Sequence, residues 1–157
     1  HKGVFFKALL ENACYVAHGE YNNIRRILSK DTLPESVVLS GGAAHSPLWC
    51  QILSDVLNKP VYTPCEREGT AIGAAMYAAV GMGIYKDTKE AARAVVHHDR
   101  EYLPDAQNHE VYMQEYARWR QLYSNGLELL SRGLVKSMWQ PASTFTEIQK
   151  QDPWKVL

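Results

Sequence analysis

An excess of either charge is the first thing this sequence lacks: 17 basic residues stand against 17 acidic ones, for a formal net charge of zero. Without a basic surplus, a nucleic-acid backbone or an anionic membrane surface is excluded as an electrostatic partner. Cysteine is scarce as well. Cys14, Cys50 and Cys65 are odd in number and widely spaced, with no C-x-x-C pair, which excludes a disulfide framework and a cysteine-built metal knuckle. They read as reduced core residues of a cytoplasmic protein. No apolar run is long enough to cross a bilayer: Ala71 to Tyr85 carries no charge but is shorter than the roughly 20 residues a span requires, so it reads as a buried helix. Two familiar phosphate-binding signatures are missing too. There is no G-x-x-x-x-G-K-[ST], and "GMGIYK" lacks the third glycine of a dinucleotide fingerprint.

What is present suits one domain, or part of one: 157 residues, 46% of them hydrophobic. Phe6, Leu10, Ala13, Ala17, Tyr21, Ile24 and Leu28 recur at spacings of three and four, predicting a long opening helix. Val37-Val38-Leu39 reads as a short buried strand. Ser46-Pro47 starts a second helix, because serine caps free N–H groups and proline is tolerated at the first helical position. "VYTP" reads as a second strand. A third helix follows from Thr70, with Ala71, Ala74, Ala75, Ala78 and Ala79 predicting very close packing on a neighbour. "DTKEAARAVV" is a short helix, "EYLPDAQNHE" a polar connection, and Tyr112, Tyr116, Trp119, Tyr123, Leu127 and Leu130 mark a last long helix. Those aromatics suit the domain's own core better than a dimer surface. The stretch 137–157 has little periodicity and is read as an irregular tail to a domain of residues 1–136. Alternating helices and strands imply an α/β layer architecture. Two short strands make an incomplete sheet, and the chain opens on His1 inside a helical pattern, so a piece of a longer protein is expected.

The chemistry concentrates in "VVLSGGAAHSP". A strand that ends in Gly41-Gly42 and passes through a short loop to a capped helix lets a ligand approach the backbone, because glycine has no Cβ. Helix N–H groups and a positive dipole end nearby suit phosphate. A glycine pair can equally serve the turn alone.

"LSGGAAHSPLWCQILSDVLNKPV" followed by "EREGTAIGAAMYAAVGMG" resembles the C-terminal signature of the FGGY carbohydrate kinases, of the actin-like, ribonuclease-H-like ATPase superfamily. The glycine loop, Ser46, Trp49, Gln51, Asp55-Val56 and Gly73-Ala74-Ala75 recur in order at the family spacing. The resemblance implies that ATP is the cofactor, with Gly41, Gly42 and Ala43 near its phosphates and Ser46 near the base. Where glycerol kinases of the family carry an amide, this chain carries Ser46. "FFKALLENACYVAHGEYNNI" and "YARWRQLYSNGLELLSRGLVKSMWQPA" are similar to the bacterial autoinducer-2 kinases within the family, with pentulose kinases as the alternative. What the resemblance further implies is a small-molecule acceptor, an N-terminal domain outside this chain, and either a homodimer or a phosphotransferase-system regulator as a further partner.

Phosphoryl transfer needs a metal, here Mg²⁺, and a carboxylate to take the hydroxyl proton. The superfamily's phosphate loops contain Asp-x-Gly, and no aspartate here has glycine two residues on. No catalytic residue is therefore assigned within this chain, and Mg²⁺ is expected to be held by groups outside it. Asp55 reads as a structural partner, and Glu66 and Glu68 as a solvated charge cluster. His97-His98-Asp99 reads as surface, since adjacent residues of an extended stretch point to opposite faces. His45 either meets nucleotide or stands in water, and Cys65 reads as a small buried hydrophobe.

Overall fold

The computed structural model describes residues 2–28, 33–66 and 68–136. The expected tail, 137–157, lies outside them. A first compact unit extends to Tyr116 and a second begins at Ala117.

The first unit opens with helix α1, Lys2–Ile27. Strand β1, Val37–Val38, leads into a 3₁₀ turn, Gly42–His45, and helix α2, Pro47–Leu57. Strand β2, Val61–Pro64, is followed by α3, Gly69–Gly81, α4, Thr88–Val95, and strand β3, His98–Tyr102. Helix α5, Ala106–Ser131, begins in this unit, and its residues beyond Tyr116 belong to the second, where Trp119 and Tyr123 stack at 5.1 Å. The sheet order is β1-β2-β3. β1 runs parallel to β2, pairing Val37 with Val61, whereas β3 is antiparallel to β2, pairing Tyr102 with Val61.

Helix α2 is the centre of the core. Cys50 and every residue from Ile52 to Leu57 are buried on it, and each fully buried Ile, Leu or Val contributes about 1.5–3 kcal/mol. Cys14 and Tyr15 of α1, Val61 of β2 and Tyr112 of α5 are buried as well. Tyr15 meets Tyr112 and Tyr116 at ring-centroid distances of 6.4 and 5.9 Å, so the first aromatics of α5 do pack inward.

Two polar residues inside α2 tie the chain together. The Ser54 hydroxyl lies 2.8 Å from the carbonyls of both Lys59 and Tyr102, with one hydrogen to share between them. The Asp55 carboxylate accepts from Gln51 Nε2 at 2.8 Å, from the Asp105 N–H at 2.9 Å and from Asn108 Nδ2 at 3.1 Å. Asp55 is thus a structural clasp between α2 and the start of α5, as its sequence position suggested.

Four expectations need correction. The expected polar connection is largely structured, β3 taking its first two residues and α5 its last five; all five β3 residues are polar and four are exposed, so the strand shows no apolar alternation and is held by backbone pairing with side-chain help from Ser54 and Tyr62. Helix α3 is not buried. None of its residues is buried and Tyr77 is 72% exposed, because the chain covers only one side of a helix that is apolar all round. Cys65 is exposed where β2 leaves the core, unlike buried Cys14 and Cys50. On α1 the expected stripe is only partly covered, with Leu10, Ala13, Ala17 and Tyr21 half-buried but Phe6 67% exposed, and the fully buried contacts are made one step around the helix by Cys14 and Tyr15.

Candidate functional site

β1 is extended beyond its last paired residue by the Leu39 N–H, which donates to the Tyr62 carbonyl at 2.8 Å. The chain then breaks sharply at Gly41, whose φ of 76° and ψ of −162° belong to a region open essentially to glycine alone. The turn closes through Ala44 N–H to Gly41 O and Ser46 N–H to Ala43 O, both 3.1 Å. Ala44 and Cys50 pin it from below, each buried.

Above the turn lies open space. A Cβ built on Gly41 or on Gly42 meets nothing within 4 Å. The two glycines therefore serve different ends: Gly41 is required by its backbone angle, while nothing in the fold requires glycine at Gly42. The N–H groups of Gly42 and Ala43 have no backbone partner among the described residues. They are the orphan donors expected at the start of a helical turn.

Helix α2 itself offers less to an anion than its sequence suggests. Ser46 Oγ accepts the Trp49 N–H at 3.3 Å, and Pro47 has no N–H to give. Of the first turn of α2 only the Leu48 N–H is left without a partner among the described residues, so most of the donors that can meet a phosphate are in the 3₁₀ turn. The structure brings Gly41, Gly42, Ala43 and Ser46 into one continuous turn at the carboxyl end of β1, the edge at which open α/β sheets bind ligands. His45 ends the turn and is exposed.

One contributor was not singled out in the sequence. Gly69, within "EREGTAIGAA", opens α3 so close to the turn that a Cβ there would stand 3.1 Å from Ser40 Oγ. Its place between an acidic loop and an alanine helix, like Gly41-Gly42 between strand and helix, was the available signal. A small cavity of about 150 Å³ lies beside it, lined by Ser40, Glu66, Gly69, Ile72 and Met76 among others.

The remaining candidates lie elsewhere. Among the described residues no three His, Cys, Asp or Glu side chains gather as a metal site. His97 and His98 are exposed, and the His98 ring lies 5.0 Å from that of Tyr62. Asp99 forms an ion pair with Arg100 at 3.7 Å.

Residues 2–82 match the model of the FGGY family of carbohydrate kinases, C-terminal domain. The autoinducer-2 kinase of Klebsiella pneumoniae is 38% identical over 140 residues, covering 89% of this chain and 26% of that protein. The autoinducer-2 kinase of Escherichia coli K12 is 36% identical over 141 residues, with the same coverage of 89% and 26%. Among solved structures, the xylulose kinase of Rhodospirillum rubrum matches with a TM-score of 0.66 at 29% identity, covering 80% of this chain and 25% of that one. The gluconate kinase of Lactobacillus acidophilus has a TM-score of 0.66 at 19% identity over 75% of this chain and 23% of its own, a likeness of fold. The chain spans about a quarter of the length of these curated relatives, 26% in both cases.

Proposed function

Because this chain belongs to the FGGY family of carbohydrate kinases, as its C-terminal domain, we propose that it is the ATP-binding part of a kinase for autoinducer-2. In this reading the whole protein transfers the ATP γ-phosphate to the terminal hydroxyl of linear 4,5-dihydroxypentane-2,3-dione. The observation that carries it is the 36–38% identity to autoinducer-2 kinases over 89% of the chain. Residues 1–136 are taken as the nucleotide-binding portion.

The open turn supplies the chemistry. The phosphates approach the free N–H groups of Gly42 and Ala43, and Gly41 holds the backbone angle that presents them. Ser46, its oxygen engaged by Trp49, keeps its O–H for the base side. Mg²⁺ neutralises the phosphates in such a transfer, and the described part of the turn contains no carboxylate to hold it. Metal ligands and the base for the acceptor hydroxyl are assigned to the rest of the protein. A kinase that traps its product as a charged ester acts in the cytoplasm, and no described helix is long and apolar enough to cross a membrane.

The pentulose-kinase reading draws on the xylulose kinase likeness, 29% identical at a TM-score of 0.66. Phosphorylation assays of the full-length protein with ATP and Mg²⁺ separate the two. Dihydroxypentanedione, D-xylulose, L-xylulose and glycerol are compared side by side. Preference for the dione is expected; preference for a pentulose would retain the ATP site and overturn the acceptor. No transfer to any of them, with nucleotide still bound, would favour a non-catalytic nucleotide-binding module.

A further inference from the structure

At the far end of α2 from the glycine turn, 11 residues or about 16 Å along the helix, lies a much larger cavity of about 730 Å³. Residues 18, 21, 22 and 25 fall on one face of α1 and form one wall; the α2 terminus and α5 supply others. Among the described residues, two cations, Arg25 and Lys59, stand in this wall against one carboxylate, Glu35. Beside them are the carboxamides of Asn22 and Asn58 and the hydroxyl of Tyr21, over whose ring the Lys59 ammonium sits 5.8 Å away. Arg25, Asn22 and Asn58 have no side-chain hydrogen-bond or ion-pair partner among the described residues.

Helix carboxyl ends normally repel anions, and α2 ends here. Two of its last carbonyls, those of Ser54 and Asp55, are already engaged, however. Ser54 O accepts the N–H groups of Asn58 and Lys59, the latter at 3.3 Å. Asp55 O lies 2.8 Å from His109 Nδ1, and since a carbonyl can only accept, the imidazole donates. Arg25 and Lys59 line the cavity, and the described lining carries one net positive charge after Glu35.

We propose that this cavity binds a phosphate monoester of a small polyhydroxylated molecule. Arg25 and Lys59 receive the phosphate, as charge-assisted hydrogen bonds favour. Carboxamides both donate and accept, which suits Asn22 and Asn58 to hydroxyl groups. The volume falls in the range of small-molecule sites. Glu35 disfavours a more highly charged nucleotide. The site is separate from the glycine turn and does not depend on the acceptor proposed above.

The test is calorimetric titration of the full-length protein with ribose 5-phosphate in saturating ADP. Ribose and inorganic phosphate serve as comparison ligands. Saturable binding at low millimolar concentration or below is expected, with both comparison ligands weaker by about tenfold. Arg25→Gln and Lys59→Gln should each weaken binding several-fold, and together by about tenfold or more, whereas Arg26→Gln should leave it unchanged. Absence of saturable binding, equal affinity for ribose, equal affinity for inorganic phosphate, or an unaltered double variant would each overturn the proposal. Arg25 is exposed, so its single variant tests the site without disturbing the core.

Discussion

Gly41 and Gly42 stand side by side yet answer to different constraints. Alanine at Gly41 is forced into a backbone region with φ of 76°, at a cost of about 1–3 kcal/mol, so Gly41→Ala should lower the urea midpoint. Alanine at Gly42 meets nothing, so stability should hold within about 0.5 kcal/mol. Under the proposed function, Gly42→Ala weakens ATP binding by about tenfold, and unchanged affinity would remove the turn from the nucleotide site. His18 provides a pH signature. Burial, then the neighbouring His109 and Arg25, hold its pKa below the ordinary 6.5 against the opposing hydrogen bond to Val56. The native state thus favours the neutral ring: the stability it contributes is present above about pH 6.5 and is lost as pH falls below that value. Urea titrations between pH 7.5 and 5.5 should show the decline, and His18→Gln should flatten it. Among the thiols, burial pushes Cys14 up to about 12, and Cys50 is buried as well, whereas Cys65 is exposed. Maleimide at neutral pH should label Cys65 and spare the other two until the protein unfolds.

Helices announced themselves in this sequence more clearly than strands did. Ser46-Pro47 marked the start of α2 because both residues act locally, and the helix begins at Pro47 with Ser46 as its cap. The glycine turn was legible for the same reason. β3 was not, because "HDREY" is polar throughout and its pairing with β2 depends on a partner more than 30 residues away. The exposure of α3 was hidden too, since composition reports that a face is apolar but not whether anything covers it. Nor could spacing reveal that Asp55 reaches Asp105 and Asn108. Replacing Asp55 by alanine leaves the Asp105 N–H and the Asn108 amide without this acceptor, a loss of about 2–4 kcal/mol measurable by urea unfolding. Asp55→Asn, which retains an acceptor oxygen, should lose less. Equal losses would mean that charge, rather than acceptor geometry, governs the clasp.

Across the whole molecule, apolar surface is left uncovered on α1, where Val4, Phe5 and Phe6 are each at least 67% exposed. Contiguous exposed apolar groups of this kind are sites of association. The isolated chain should therefore bind hydrophobic dyes and self-associate, and Phe5→Glu with Phe6→Glu should reduce both, as light scattering would register. Under the proposed function the isolated chain should also show no phosphoryl transfer from ATP, because the turn assigned to nucleotide brings no carboxylate with it; turnover by the chain alone would overturn that assignment. The Asp55 clasp has a further consequence, in time rather than in strength. It joins positions 50 and 53 residues apart across a loop that contains β2, α3, α4 and β3. Closing so long a loop is entropically unfavourable until both ends are otherwise ordered, so the start of α5 docks late in folding. In native-state hydrogen exchange, the amides of Asp105 and Asn108 should open together with the last turn of α2, as one cooperative unit, while the exposed α3 between them in sequence exchanges sooner.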